Sequence, residues 1–220
     1  LGRNVIAPLV GCISCAAGFL FVAALAYGAG AAQHYDAALL ARFAEGGSRT
    51  GSVVAGIAHL GDPLTLLVML ALACGVALVR RRPRDAAAAL FVVAGANLTT
   101  QLFKLALSHP HFQSILGAEQ IAANSFPSGH TTAVASIAIA FAFVVPRDLR
   151  LAAALIGTGL VAAVGCSVMA LSWHYPSDVL GGVFVAAGWG FAALAGLRAM
   201  RGRPRRQSLQ LGSRAAISLK

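Results

Sequence analysis

Residues 86–107, AAAALFVVAGANLTTQLFKLAL, are apolar enough to cross a lipid bilayer, yet polar along one line. The stretch meets the roughly 20 apolar residues that a transmembrane helix needs. Asn97, Thr100, Gln101 and Lys104 recur at offsets of 0, 3, 4 and 7, which predicts a single helical face. Inside a membrane, polar side chains turn to the bundle interior or a watery cavity, because lipid satisfies none of them. A solitary lysine can snorkel to the interface, but the stripe leading up to Lys104 points it into a cavity. This segment therefore predicts a helical membrane bundle with a polar pocket at one end.

The rest of the chain agrees. Of 220 residues, 58% are hydrophobic and 11% charged, with a mean hydropathy of +0.78, too little charge to cover a water-soluble surface. Apolar spans are expected at about 5–31, 52–79, 86–107, 129–145, 151–171 and 179–199, six in all. The first is too long for the apolar region of a signal peptide and lacks a clear cleavage site. Backbone satisfaction in lipid then predicts an all-α, six-helix transmembrane bundle over residues 1–200, followed by a basic tail at 201–220. The chain opens at Leu1 rather than Met, so a few preceding residues are expected in the native protein.

Net charge is +10, but it falls in short runs between apolar segments, which argues for membrane topology signals and against a nucleic-acid partner. One set of loops holds Arg3, Arg80, Arg81, Arg82, Arg84, Arg147, Arg150 and the tail from Arg198 to Lys220, together 14 of the 17 basic residues. The other side holds Arg42, Arg49 and Lys104. Both termini are thus expected in the cytoplasm of a plasma or inner membrane, with the basic loops meeting anionic lipid. The outer side receives the stretch 32–51, read as a loop with a short amphipathic segment, and the interruption at 108–127. The cysteines Cys12, Cys15, Cys74 and Cys166 sit in apolar runs and read as packing residues.

All six histidines, His34, His59, His109, His111, His130 and His174, fall in or near the outer half of this topology. His34 and His59 read as loop residues. In NSFPSGHTT, Asn124 to Thr132, Pro127 and Ser128 suit a helix start, Gly129 permits close backbone approach, and free N–H groups can hold an anion. His130 follows in the first turn, placed to trade a proton with a phosphate ester. In SWHYPSDVLGG, Ser172 to Gly182, His174 and Asp178 are four apart, so a carboxylate can orient the imidazole and leave its other nitrogen free to attack.

Lys104, Pro127-Ser128-Gly129-His130 and His174-x3-Asp178, in this order, resemble the type 2 phosphatidic acid phosphatase superfamily over about residues 97–190. The resemblance implies a lipid phosphate as substrate and no metal or cofactor. It also implies that His174 attacks phosphorus to form a phosphohistidine, that Asp178 orients it, and that His130 protonates the leaving alkoxide. Lys104, Ser128 and Gly129 would bind phosphate. Two family arginines are replaced: His109-Pro110 or His111-Phe112 stands in one motif and Val168 in the other. At about 1.5–3 kcal/mol per charge-assisted contact, two losses correspond to roughly a thousandfold in rate. Protonated His109 or His111, or Arg42 or Arg49, would have to supply it. The function expected is a phosphatase for a phospholipid or polyprenyl phosphate on the extracytoplasmic face. Phosphoryl transfer to another acceptor by the same histidine, and non-catalytic lipid binding on a degenerate fold, are the alternatives.

Overall fold

The computed structural model describes residues 3–28, 30–47, 51–107, 121 and 124–201. Among these every regular element is helical: α1 (Arg3–Gly28), α2 (Gly30–Gly47), α3 (Gly51–Ala58), α4 (Pro63–Val79), α5 (Pro83–Ala106), α6 (Gly129–Val144), α7 (Arg150–Ala170) and α8 (Pro176–Arg201). Short 3-10 turns at His59–Gly61 and Arg147–Leu149 join α3 to α4 and lead into α7.

α1, α5, α7 and α8 are each long and apolar enough to cross a membrane, and α3 with α4 would form a fifth span if counted as one. α6 is shorter. Its 16 residues rise about 24 Å at 1.5 Å each, less than the roughly 30 Å hydrocarbon core. It stands at the centre of the bundle, between α5, α7 and α8, with Ala140 and Val144 wholly buried. α1 and α8 run antiparallel in close contact, because Gly11 faces the Phe191 ring and Gly18 the Phe184 ring, with added Cβ atoms only 2.7 and 2.5 Å from them. Small residues permit this approach where no hydrophobic force draws helices together.

Two expected elements differ. The span at 52–79 is broken, and α4 leaves α3 at 54°. Asp62 is extended (φ −67°, ψ 152°) ahead of Pro63, the conformation forced on a residue before proline, and Pro63 lacks the N–H to continue the helix. The loop at 32–51 is largely a helix, α2, whose Ala37 and Leu40 pack on Met169 of α7 and on Tyr175.

The chain direction gathers one set of ends together: the close of α5, the starts of α4, α6 and α8, and the close of α7. The arginines at 80–84, 147, 150 and 198 belong to the opposite ends of these helices.

Candidate active site

The α7–α8 turn sets the first histidine. Ser172 takes φ 56°, its N–H bonds the Met169 carbonyl at 2.9 Å, and Trp173 N–H reaches back to the Val168 carbonyl at 2.9 Å. This pair of bonds is the Schellman closure of a helix, with serine where glycine is usual. It delivers Trp173, His174 and Tyr175 to the bundle end just ahead of Pro176, the first residue of α8. Asp178, fully buried, sits in the first turn of that helix.

His174 is 6% exposed, and its Nδ1 stands 3.3 Å from Asp178 Oδ2. The same oxygen accepts the Tyr175 amide at 3.0 Å. With Nδ1–H donated to the carboxylate, Nε2 carries the free lone pair. Burial, then the carboxylates of Asp178 and Asp36, pushes the Tyr175 phenol above its ordinary value, so it stays neutral beside them. Asp36 of α2 closes the other side of the helix start. Its oxygens accept Ser177 N–H at 3.0 Å and Ser177 Oγ–H at 2.5 Å.

The second histidine belongs to α6. Ser128 caps that helix, accepting Thr131 N–H at 3.3 Å, and its own N–H donates to the Asp178 carbonyl at 2.9 Å. The starts of α6 and α8 are thereby tied together. Thr132 Oγ1 donates to the Ser128 carbonyl at 2.8 Å, and Thr100 of α5 reaches Thr132 at 3.1 Å. The His130 and His174 rings lie 6.0 Å apart between centres. Behind them Phe126 is completely buried, 5.4 Å from the ring of Phe19 and 5.6 Å from that of Tyr27.

Lys104 approaches from α5: a Cβ built on Gly129 would lie 3.8 Å from its Nζ. An ammonium thus stands beside the amide end of a helix, two complementary sources of attraction for an anion. Of the stripe that predicted this pocket, Asn97 bonds Ser136 at 3.2 Å, Thr100 is buried, and Lys104 is half-buried. Gln101 is exposed instead, at the edge of that face.

His109 and His111 lie outside the described residues, as does Arg49. Arg42 is on the exposed side of α2. Val168, expected from the sequence motif to stand where the family has an arginine, is fully buried in an apolar cluster with Ala58, Val134 and Val164. One neighbour of the site was absent from the sequence reading altogether. Asp62, in the break between α3 and α4, lies 3.4 Å from His130 Nε2 and 2.9 Å from His59 Nδ1. Trp173 covers both rings, 5.4 Å from His130 and 6.0 Å from His59.

Lys104, the amide end of α6 and two imidazoles converge on one space, which suits a tetrahedral oxyanion held for attack by nitrogen. The fold is that of a helical, multi-pass membrane protein with a pocket suited to an anion. The chain belongs to the PAP2 superfamily, whose sequence profile matches residues 85–200. A solved transmembrane PAP2-type phosphatidylglycerolphosphate phosphatase from Bacillus subtilis is similar at 25% identity, with 88% of this chain and 98% of that one covered and a TM-score of 0.72. Curated protein sequences gave no match. Family and neighbour together support a phosphatase of the lipid class.

Proposed function

We propose that this protein hydrolyses a lipid phosphate through a phosphohistidine at His174. The observation that carries the reading is the buried His174–Asp178 pair, 3.3 Å apart, facing His130 across 6.0 Å. Nε2 of His174 attacks phosphorus while Lys104, Ser128 and the backbone at Gly129 hold the non-bridging oxygens. The bond from phosphorus to the lipid oxygen breaks, and the proton of His130 passes to that oxygen, releasing the alcohol. Water then attacks phosphorus and gives its proton to His130. The phosphorus–nitrogen bond breaks and inorganic phosphate leaves. Asp178 orients His174 and balances the charge it gains.

The lipid tail has somewhere to lie. An almost wholly apolar groove of about 390 Å³ runs between α4, α6 and α7, and one end of it is formed by Leu60 and Thr65, beside Asp62. A headgroup at the histidines and an acyl or prenyl chain in this groove fit an amphiphile better than a soluble ester. The positive-inside rule supports a cytoplasmic position for the arginine-rich ends and an extracytoplasmic one for the site.

The similar phosphatase makes phosphatidylglycerolphosphate the first substrate to try, with phosphatidic acid and undecaprenyl diphosphate beside it. Purified protein in mixed micelles with a chelator present is expected to release inorganic phosphate from at least one of the three. Transfer of label to an added lipid or sugar in place of free phosphate would make it a phosphotransferase. Binding without turnover would make it a lipid-binding protein.

A further inference from the structure

Asp62 has the position of a helix N-cap but not the bonds of one. It precedes Pro63 at the start of α4, yet its side chain makes no cap hydrogen bond. Its two oxygens are turned to imidazoles: Oδ1 lies 3.4 Å from His130 Nε2, and Oδ2 lies 2.9 Å from His59 Nδ1. The turn that carries it is held against α6. A Cβ on Gly61 would fall 2.7 Å from both Cα and Cβ of His130, so only glycine lets the backbone come this close. Thr65 Oγ1 donates to the His59 carbonyl at 3.2 Å, and Asp62 N–H to the same carbonyl at 3.1 Å. A constrained turn, touching His130 through its backbone, thus presents a carboxylate to the ring.

We propose that Asp62 is the positioning residue of His130, the counterpart of Asp178 for His174. This rests on the phosphatase reading above. With Nε2 directed at Asp62, Nδ1 of His130 is the nitrogen left for the leaving oxygen. Asp62 exchanges no proton in this role. It fixes the ring and, by its charge, favours the imidazolium that must donate. His130 is also faced by Lys104 from α5 and by His174 from the α7–α8 turn. Burial, then the His174 imidazole and lastly the Lys104 ammonium disfavour a charged His130 ring, and the Asp62 carboxylate works against all three. His59 is the outer brace, aligning the second oxygen of Asp62 under Trp173. Asp62 precedes the part of the chain matched by the family profile, residues 85–200.

A group acting through the general acid matters most when the leaving group is poor. The test compares a dialkylglycerol phosphate, whose alkoxide must be protonated, with p-nitrophenyl phosphate, whose phenolate leaves unaided. Asp62→Asn is expected to slow the alkyl ester at least tenfold more than the aryl ester, in kcat rather than KM. In a His130→Ala background, Asp62→Asn should cost no further rate, because the two act as one unit. Asp62→Glu should recover part of the alkyl-ester activity. Asp62→Ser keeps a good N-cap residue and must show the same split, which covers failure of the Asn variant to fold. Equal losses on both esters, or losses that multiply in the double variant, overturn the assignment to Asp62 while leaving the phosphatase reading intact. Wild-type protein inactive on both esters, or His174→Ala as active as wild type, would instead sink the phosphatase reading.

Discussion

A methyl group added at Gly129 would meet nothing closer than Lys104 Nζ, at 3.8 Å. Glycine is therefore not demanded there by packing; what it leaves open is the space where a phosphate would approach the helix amides. Gly129→Ala is expected to leave the melting temperature within a degree or two and to reduce phosphatase activity at least tenfold. A fully active Gly129→Ala protein would move the phosphate elsewhere. Should His109 or His111 bind the phosphate, the protonated form is the one that binds, and histidine ordinarily loses its proton near pH 6.5. Activity then falls as pH rises above neutrality, whereas a flat profile through pH 8 excludes that substitution. Much of the candidate site was legible at this scale because His130, His174, Asp178, Ser128 and Gly129 stand in local motifs at helix starts, which the fold brings together. Asp62 was not, since its meaning arises only when a turn from one segment touches a helix start about seventy residues away. Gln101 misled for a simpler reason: it flanks the stripe formed by Asn97, Thr100 and Lys104 and turns outward.

Helix starts are the elements that build this pocket, and each is braced by a different device. Gly182 lets α8 lie against α6: a Cβ there would fall 2.8 Å from the Ser128 carbonyl and 3.0 Å from Thr132 Oγ1. The carbonyl is backbone and has little room to give. Gly182→Ala is expected to destabilise the protein by about 1–3 kcal/mol, the usual cost of overpacking, and thermal unfolding in detergent measures it. Asp36 works from outside, as a distant N-cap for Ser177. Asp36→Ala should cost about 0.5–2 kcal/mol and loosen the His174 turn, read as a lower melting temperature together with reduced turnover. The bend at 61–63 was signalled by Gly-Asp-Pro, but the unbroken hydropathy on either side concealed it. α2 was hidden for the opposite reason, since its charged residues resemble a loop until Ala37 and Leu40 find α7 and Tyr175.

For the molecule as a whole, the basic helix ends and the site occupy opposite ends of one bundle. If the arginines face the cytoplasm, a membrane-impermeant maleimide added to intact cells should label Glu45→Cys on exposed α2, while an epitope on the 201–220 tail stays protected from external protease. The reverse pattern would put the pocket inside. Composition and charge runs made the helical membrane class readable, because lipid leaves the backbone so few choices. The number of complete spans was less readable, since α6 is short and the α3–α4 pair is broken. The proposed reaction turns on a phosphohistidine formed on His174 from a lipid phosphate. Rapid quenching of purified protein mixed with a lipid substrate labelled in its phosphate tests it most directly. A phosphohistidine at this position gives an acid-labile, alkali-stable label on the wild-type chain that vanishes in His174→Ala. Label that survives in His174→Ala, or phosphate released by that variant at the wild-type rate, would contradict it.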